Sequence, residues 1–334
     1  MKKFFGLLLV LFCTISLTGC GKDDKTTVIN KLDKKVSNLK GYQLEAMMEL
    51  INNDDSYKYD VLVSYKKSDN YRVSLKNKTN NHEQIILKNN EGVYVLTPSL
   101  NKSFKFQSKW PYNNSQAYLL QSIINDIKAD TKMIMKEVKK GYVFSSTVNY
   151  KNNPTLVKQE VFLDKNLNFK EVVVYNSSDV AQIRVSFKSV DLKAKFKNDY
   201  FVLEENMKTA SDAKPAEDKT TILEEAIYPM YMPEGTYLET EKTIDLDKGS
   251  RIILTFAGEQ SFMLVEESAS KSEDITIIPT SGDLDMITDT VAIIGDSSVN
   301  WISDNIEYYL VSSTLSTSEL IQVAQSVATL PVGK

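Results

Sequence analysis

Few residues of this chain are of the types that carry out covalent or metal chemistry. Its 334 residues include two cysteines, Cys13 and Cys20, and a single histidine, His82. One histidine is too few for a His-rich metal centre or for a triad with a second histidine. The polar residues around His82 predict an exposed turn. The sequence contains no Gly-x-Ser-x-Gly, His-Glu-x-x-His or phosphate-loop motif. We therefore expect no catalytic residue, no cofactor and no metal site.

Carboxylates are numerous, but their spacing selects no pair. Asp54-Asp55 and Asp283-x-Asp285 lack the full spacing of an EF-hand, so both pairs are interpreted as solvated turns. Glycosidase chemistry needs two carboxylates at a set separation in space, which a sequence with 44 acidic residues does not reveal. A cell-wall hydrolase therefore stays open as an alternative.

Cys20 is the residue with the clearest context. It ends Leu17-Thr18-Gly19-Cys20, after a basic start (Met1-Lys2-Lys3) and an apolar run over 4–12. This pattern resembles the bacterial lipoprotein signal, in which the cysteine takes a diacylglycerol thioether and becomes the mature N-terminus. The alternatives are an ordinary signal peptide or a transmembrane anchor, and the apolar run is shorter than a span of about 20 residues. We expect a signal peptide over 1–19, a lipidated tether over 20–27 and an extracytoplasmic, lipid-anchored protein.

The composition of the mature chain limits its partners. Loss of Lys2 and Lys3 with the signal changes the formal charge from −4 to −6. An acidic chain argues against nucleic acid as a partner. One acylated cysteine leaves no disulfide framework.

Hydrophobic periodicity predicts a first domain over 28–203. Apolar residues at helical spacing from Val28 to Leu39 predict one helix, and Tyr118 to Ile127 lie on one face of a second. Between and after them, apolar and polar residues alternate, and Asn- and Lys-rich turns separate the runs. About eleven strands and two helices result. So large an antiparallel sheet must curl, and a helix on its concave face is the natural cover.

The pattern breaks over 204–220, where small, charged and Pro-bearing residues predict a linker. A small α+β domain is predicted over 221–334, with strands near 251–257, 260–265, 291–295 and 307–313. Ser316 and Glu319 have the spacing of a capping box at the start of a last helix.

Several of these segments resemble a known family. They are Asn70 to Leu75, Ile85 to Leu87, Gly92 to Pro98 and Lys102 to Phe104. Their strand pattern resembles the LolA/RseB-like lipoprotein-localisation family, and the continuation through Trp110-Pro111-Tyr112 resembles Gram-positive sporulation and germination lipoproteins of the YdcC and GerS type. Met232 to Tyr237 and Ser318 to Ser326 resemble the small C-terminal domain of YdcC-like proteins. The resemblance implies an α+β fold with a LolA-like curved antiparallel sheet, or half-barrel, under covering helices. It also implies a lipid anchor and no enzymatic activity.

Aromatic residues raise the question of a binding hollow. The chain has 17 Tyr and 13 Phe, which fit either ordinary core packing or a concave face that accepts an acyl chain. Trp110 and Tyr112 are the candidate rim for a ligand or partner. We expect the covering helix to fill the hollow.

Strands 57–65 and 70–76 contain no Pro or Gly and are candidates for strand addition or strand exchange in a homodimer, unless both lie centrally and are already paired.

The functional prediction is a non-enzymatic scaffold, tethered to the membrane through the lipid on Cys20, that acts in sporulation or spore germination. Its resemblance to GerS implies a protein partner of the cell-wall amidase class. The alternatives are a lipid or lipoprotein carrier of the LolA type and an RseB-like envelope sensor that binds an anti-sigma factor.

Overall fold

The computed structural model describes residues 24–52, 55–208 and 223–327. We call 24–208 the first segment and 223–327 the second segment. The predicted signal peptide, Cys20 and most of the predicted linker lie outside the described residues.

The first segment contains eleven strands among its described residues, and most of them were expected. They are β1 (Gly41–Asn52), β2 (Asp55–Lys66), β3 (Asn70–Asn77), β4 (Glu83–Asn89), β5 (Gly92–Thr97), β6 (Lys102–Phe106), β7 (Ile134–Val138), β8 (Gly141–Thr147), β9 (Leu156–Asp164), β10 (Phe169–Asn176) and β11 (Ala181–Asp191). Its helices are α1 (Lys25–Ser37), α2 (Leu120–Ala129) and α3 (Leu203–Lys208). α3 extends the packed chain into the predicted linker.

The second segment contains eight strands and one helix among its described residues. They are β12 (Thr236–Asp245), β13 (Ser250–Gly258), β14 (Phe262–Ser268), β15 (Thr276–Thr280), β16 (Asp283–Ile287), β17 (Thr290–Ile294), β18 (Ser298–Ser303), β19 (Ile306–Val311) and α4 (Thr317–Ser326). The predicted strands correspond to β13, β14, β17 and β19. The predicted capping box is confirmed, since the Ser316 side chain accepts from the Glu319 N–H and Glu319 bonds back to the Ser316 N–H.

Twelve strands form one open sheet, in the order β15-β6-β5-β4-β3-β2-β1-β11-β10-β9-β8-β7. Every neighbouring pair is antiparallel except β15 and β6, which are parallel. The other seven strands form a second sheet, in the order β12-β13-β14-β19-β18-β17-β16. The predicted fold class, α+β with a curved antiparallel sheet under helices, is confirmed.

The first sheet is covered on both faces. α1 and α2 bury Val28, Leu32, Ile123 and Ile127 against one face of the sheet, as their apolar spacing predicts. α3 covers the opposite face at β4 and β5, where Leu203 and Met207 pack with Leu87 and Leu96. In the second sheet, Leu320 and Val323 of α4 pack on the inner face.

The two segments share one core and one sheet. β15 is second-segment chain, yet it extends the first sheet by pairing Ile278 with Phe104 of β6. The β16–β17 hairpin places Leu284, Val291 and Ile293 in the core of the first sheet. The predicted division into two domains stays a prediction. Most of the predicted linker lies outside the described residues, and the two segments pack against each other.

Polar contacts fix the hairpin in place. The buried side chain of Gln84 accepts through Oε1 from the Val291 N–H at 2.7 Å and from the Thr290 hydroxyl at 2.9 Å. The Tyr59 hydroxyl donates to the Thr288 carbonyl oxygen at 3.0 Å, and Lys102 pairs with Glu307. A buried acceptor that serves two buried donors leaves the hairpin little freedom to slide.

Several sequence-based expectations for local structure were wrong. Asp283-x-Asp285, expected to be a solvated turn, lies in strand β16. His82, expected to be exposed, is half-buried, and burial lowers its pKa. Apolar residues over 190–196 and 200–203 also predict strands, but β11 ends at Asp191 and 200–203 is not a strand. Phe196, Tyr200 and Phe201 instead pack against one another beside α3. β7 was not predicted.

No helix among the residues that the structure describes has both the length and the apolar character needed to cross a bilayer.

Candidate binding cavity and surfaces

A cavity of about 460 Å³ lies where the first sheet, the chain before α2, the β16–β17 hairpin and α4 meet. Its volume is within the range of about 300–1,000 Å³ that small-molecule sites occupy. Tyr57 and Met48 line it from the first sheet, Trp110 and Tyr118 from the chain before α2, and Asp285 from β16. The cavity exists because α2 covers only part of the sheet. The expected covering helix is present, but the hollow is not completely filled.

The charge of this cavity comes from one carboxylate. Burial raises the pKa of Asp285 to about 6, and the Met286 N–H that donates to it at 2.8 Å limits the shift. Burial also raises the pKa of Tyr118 and Tyr150, so both phenols stay neutral. No Lys, Arg or His is among the described residues that line the cavity. An anionic headgroup would therefore meet no counter-charge there.

The two residues of the predicted rim have different environments. Trp110 is 1% exposed and packs edge-on against Tyr71, with ring centroids 5.8 Å apart. It forms part of the cavity wall. Tyr112 is 58% exposed and lines a separate cavity of about 140 Å³. Only Tyr112 has the exposure of a rim residue, and a binding role for either residue stays a prediction.

A small polar cluster holds Tyr112. Its hydroxyl donates to the Asp69 carboxylate, and Lys88 Nζ lies 4.7 Å from the centre of its ring. Lys88 also pairs with Asp69 at 2.7 Å and donates to the Trp110 carbonyl oxygen at 2.8 Å. These contacts fix the ring, so Tyr112 presents a rigid aromatic surface to solvent.

The expectation of strand addition at 57–65 or 70–76 is wrong. These residues lie in β2 and β3, and each strand is already paired on both sides: β2 with β1 and β3, and β3 with β2 and β4. Alternation of apolar residues shows that a strand has a buried face, but not which strands flank it. The edge strands of the first sheet are β7 and β15, and those of the second sheet are β12 and β16.

An apolar surface that the sequence analysis missed lies on the second sheet. The strand register places Ile253 opposite Val265 and Val265 opposite Tyr309, and it likewise places Met263 opposite Val311. Side chains directly opposite one another share a face. We call these five residues the outer face. They point away from the inner face, where Leu254 and Leu264 are buried under α4.

The outer face is incompletely covered. Tyr309 is 41% exposed, and Ile253, Met263, Val265 and Val311 are half-buried. A contiguous exposed apolar patch marks an interaction site more often than isolated apolar residues do. The signal in the sequence was weak, because Ile253, Met263 and Val265 alternate on this face with Arg251, Thr255 and Glu267.

The other sequence candidates form no centre. Asp283 accepts from Asn113 Nδ2 at 2.5 Å, while Asp285 faces the cavity. Asp54 lies outside the described residues, as does Cys20. Within 24–52, 55–208 and 223–327, no three His, Cys, Asp or Glu side chains are grouped closely enough to hold a metal ion.

Comparison with known proteins gives one relative over the full length. The chain is 34% identical over 332 residues to sporulation protein YdcC of Bacillus subtilis (strain 168), which covers 98% of this chain and 97% of the relative. No family model matches the chain.

Solved structures show only distant likeness. The Pseudomonas aeruginosa MucA/MucB complex is 11% identical, covers 90% of this chain and 98% of that one, and has a TM-score of 0.32. The Clostridioides difficile CwlD amidase in complex with the GerS lipoprotein is 18% identical, covers 53% of this chain and 98% of that one, and has a TM-score of 0.31. A putative outer membrane lipoprotein-sorting protein domain from Vibrio parahaemolyticus is 11% identical, covers 54% of this chain and 97% of that one, and has a TM-score of 0.34. These scores are too low to bear on function.

Proposed function

We propose that this chain, which belongs to the family of the sporulation protein YdcC, is a membrane-anchored binding protein that acts in sporulation or spore germination without catalysing a reaction. The observation that carries the proposal is the 34% identity over 98% of the chain. At this coverage the match spans both sheets, so the similarity is not limited to one segment.

Anchoring is proposed through Cys20. A diacylglycerol thioether and a further acyl chain bind a bilayer stably, because each buried CH₂ contributes about 0.8 kcal/mol. Cys20→Ala is expected to block acylation and processing, which leaves a precursor longer by the 19 residues before Cys20. Metabolic labelling with a fatty acid provides the measurement. A fatty-acylated Cys20→Ala protein would refute the lipid site.

The outer face is the proposed docking surface for the protein partner. It combines an exposed aromatic ring, Tyr309, with half-buried aliphatic side chains on a rigid sheet, which is the composition of interface cores. The sequence resemblance of the region through Trp110-Pro111-Tyr112 to GerS-type lipoproteins favours a cell-wall amidase as this partner. An envelope protein of the anti-sigma-factor class is the alternative.

The experiment measures binding of the purified mature protein to the cortex amidase of the same organism by calorimetry. Tyr309→Ser is expected to weaken binding at least tenfold, the cost of about 1.4 kcal/mol at an interface centre. Tyr112→Ser is the matched control, because it removes another exposed tyrosine, from the predicted rim. If Tyr112→Ser weakens binding and Tyr309→Ser does not, the rim is the docking surface. If the wild-type protein does not bind, the amidase is not the partner.

A carrier of apolar ligands is the second candidate, and the cavity of about 460 Å³ favours it. We expect the purified protein to be free of ligand, because the lining offers no positive charge to a fatty acid or phospholipid. Native mass spectrometry decides between the two functions. A retained acyl species, lost in Trp110→Ala, would establish the carrier.

A hydrolytic function is tested on the same preparation. The purified protein is expected to release no fragments from spore peptidoglycan. Release of muropeptides by the protein alone would overturn the proposal that it works through contacts.

A further inference from the structure

The start of the described chain lies at one edge of the first sheet. Asp24 precedes α1, and the Lys25 ammonium group donates to the Met133 carbonyl oxygen, directly before edge strand β7. Lys128 of α2 pairs with Asp33 of α1 at 2.9 Å, which holds α1 beside the same edge. The chain that leads to Cys20 therefore leaves the fold next to β7.

The length of that chain limits how far β7 can be from a membrane. Asp24 is four positions after Cys20, with three residues between them. An extended chain spans at most about 3.5 Å per residue, so Asp24 lies within about 14 Å of the acylated cysteine. This upper bound is less than two Debye lengths of about 8 Å each at physiological ionic strength, so charges at this end of the fold remain within reach of the membrane surface. The inference rests on the proposed lipidation of Cys20.

The charge at this edge is opposite to that of the whole chain. Residues 24–36 and 128–140 together contain nine lysines and four acidic residues, whereas the chain carries a net charge of −4. Lys132, Lys136, Lys139 and Lys140 are all exposed. Beside Lys136 on the same face of β7, Ile134 is 55% exposed and Val138 is 42% exposed. Lysines next to apolar side chains suit the headgroup region of a bilayer.

We propose that β7 and the exposed side of α1, which we call the basic edge, bind the anionic phospholipid headgroups of the membrane that holds the lipid anchor. Several lysines beside a lipid anchor attract an anionic leaflet additively. Contact at this edge orients the molecule. β15, which joins the second segment to the first sheet, lies at the end of the strand order opposite to β7.

Lysines on an edge strand have a second known effect, which is to prevent pairing with another copy. That effect requires no lipid and shows no preference for anionic vesicles. The lipid composition of the vesicles therefore separates the two roles.

The first test uses the lipidated protein in vesicles that carry a headgroup quencher. Because the chain has only Cys13 and Cys20, Lys136→Cys gives one free thiol for a dye in the mature lipoprotein. The dye at Lys136→Cys is expected to be quenched in vesicles containing phosphatidylglycerol, and less so in pure phosphatidylcholine or in 1 M salt. Lys271→Cys, just before β15, is the matched control and is expected to show little quenching in either vesicle. Equal quenching at the two positions would overturn the basic edge.

The second test does not depend on acylation. The mature chain with Cys20→Ser retains every described contact, since the described residues begin at 24. Its sedimentation with phosphatidylglycerol vesicles at low salt is expected to fall at least about tenfold in Lys132→Glu/Lys139→Glu/Lys140→Glu. The control Lys193→Glu/Lys195→Glu/Lys197→Glu changes the same net charge elsewhere and is expected to retain most of the binding. Equal loss in both variants would show attraction by net charge alone and would contradict the proposal. In a further outcome, the lipidated wild type does not float with vesicles while the two triple variants still differ in sedimentation. That result would refute the lipid anchor at Cys20 but support membrane binding by the basic edge.

Discussion

Replacement of Gln84 tests whether the two segments form one cooperative unit. Gln84→Met keeps the length of the side chain but removes the oxygen that accepts from the Val291 N–H and the Thr290 hydroxyl. The Thr290 hydroxyl can still donate to the Ile302 carbonyl oxygen at 2.7 Å. The Val291 N–H is left without an acceptor in the buried junction.

The magnitude follows from that single orphaned donor. A buried N–H that loses its acceptor costs about 1–3 kcal/mol. The packing is retained, the Tyr59 hydroxyl still bonds the Thr288 carbonyl oxygen in the hairpin, and β15 and the pair of Lys102 and Glu307 still join the two segments. With a urea m-value near the upper end of about 1–3 kcal/mol/M, a loss of about 2 kcal/mol lowers the midpoint by roughly 0.7 M.

The two tryptophans allow each segment to be followed separately. Trp110 lies in the core of the first sheet and Trp301 stacks on Tyr308 in the second. Urea unfolding is measured by fluorescence in Trp301→Phe and Trp110→Phe backgrounds, and Gln84→Met is expected to shift both signals equally. Gln107→Met, at an exposed glutamine, is the control and is expected to leave both midpoints unchanged. A shift of the Trp301 signal alone would refute the shared core and support two independent domains.

Two further perturbations test the energetics of the second segment. Burial raises the pKa of Glu266 from 4.5 to about 7, although the hydrogen bond that Glu266 accepts from the Ile227 N–H opposes the shift. The folded state therefore binds this proton more tightly than the unfolded state, and the free energy of unfolding falls as the pH rises from 4.5 to about 7. In Glu266→Gln, urea midpoints at pH 5 and pH 8 are expected to differ less than in the wild type, whereas Glu267→Gln keeps the wild-type difference. Ser316→Ala removes the cap of α4 and is expected to cost about 0.5–2 kcal/mol by urea unfolding. Ser318→Ala, at the exposed second residue of the helix, is its control, and equal losses in the two alanine variants would contradict the capping contribution.

Local patterns predicted the elements that bury one face. The helices α1 and α2 follow from apolar residues at helical spacing, and β1 to β6 follow from alternation between polar turns. The capping box at Ser316 followed from two residues three apart. In each case the signal lies within a few neighbouring residues, where sequence and local structure are directly linked.

The missed elements depend on partners distant in sequence. β7 exposes most of its residues, so Ile134 and Val138 gave no one-sided pattern. β15 contains Pro279, and only its parallel pairing with β6 makes it a strand. Trp110, predicted at a rim, is buried because Tyr71 of β3 packs against it. The cavity and the junction at Gln84 arise where the segments meet, which no local pattern encodes.

The central claim, that the protein acts in sporulation through contacts of its outer face, is tested most directly by complementation. A strain that lacks the protein receives the wild type, Tyr309→Ser or the control Tyr112→Ser, each at equal membrane-bound level, and the yield of germinating spores is counted. We expect Tyr309→Ser to reduce the yield toward that of the deletion strain and Tyr112→Ser to restore the wild-type yield. A wild-type yield from the Tyr309→Ser strain would contradict the claim.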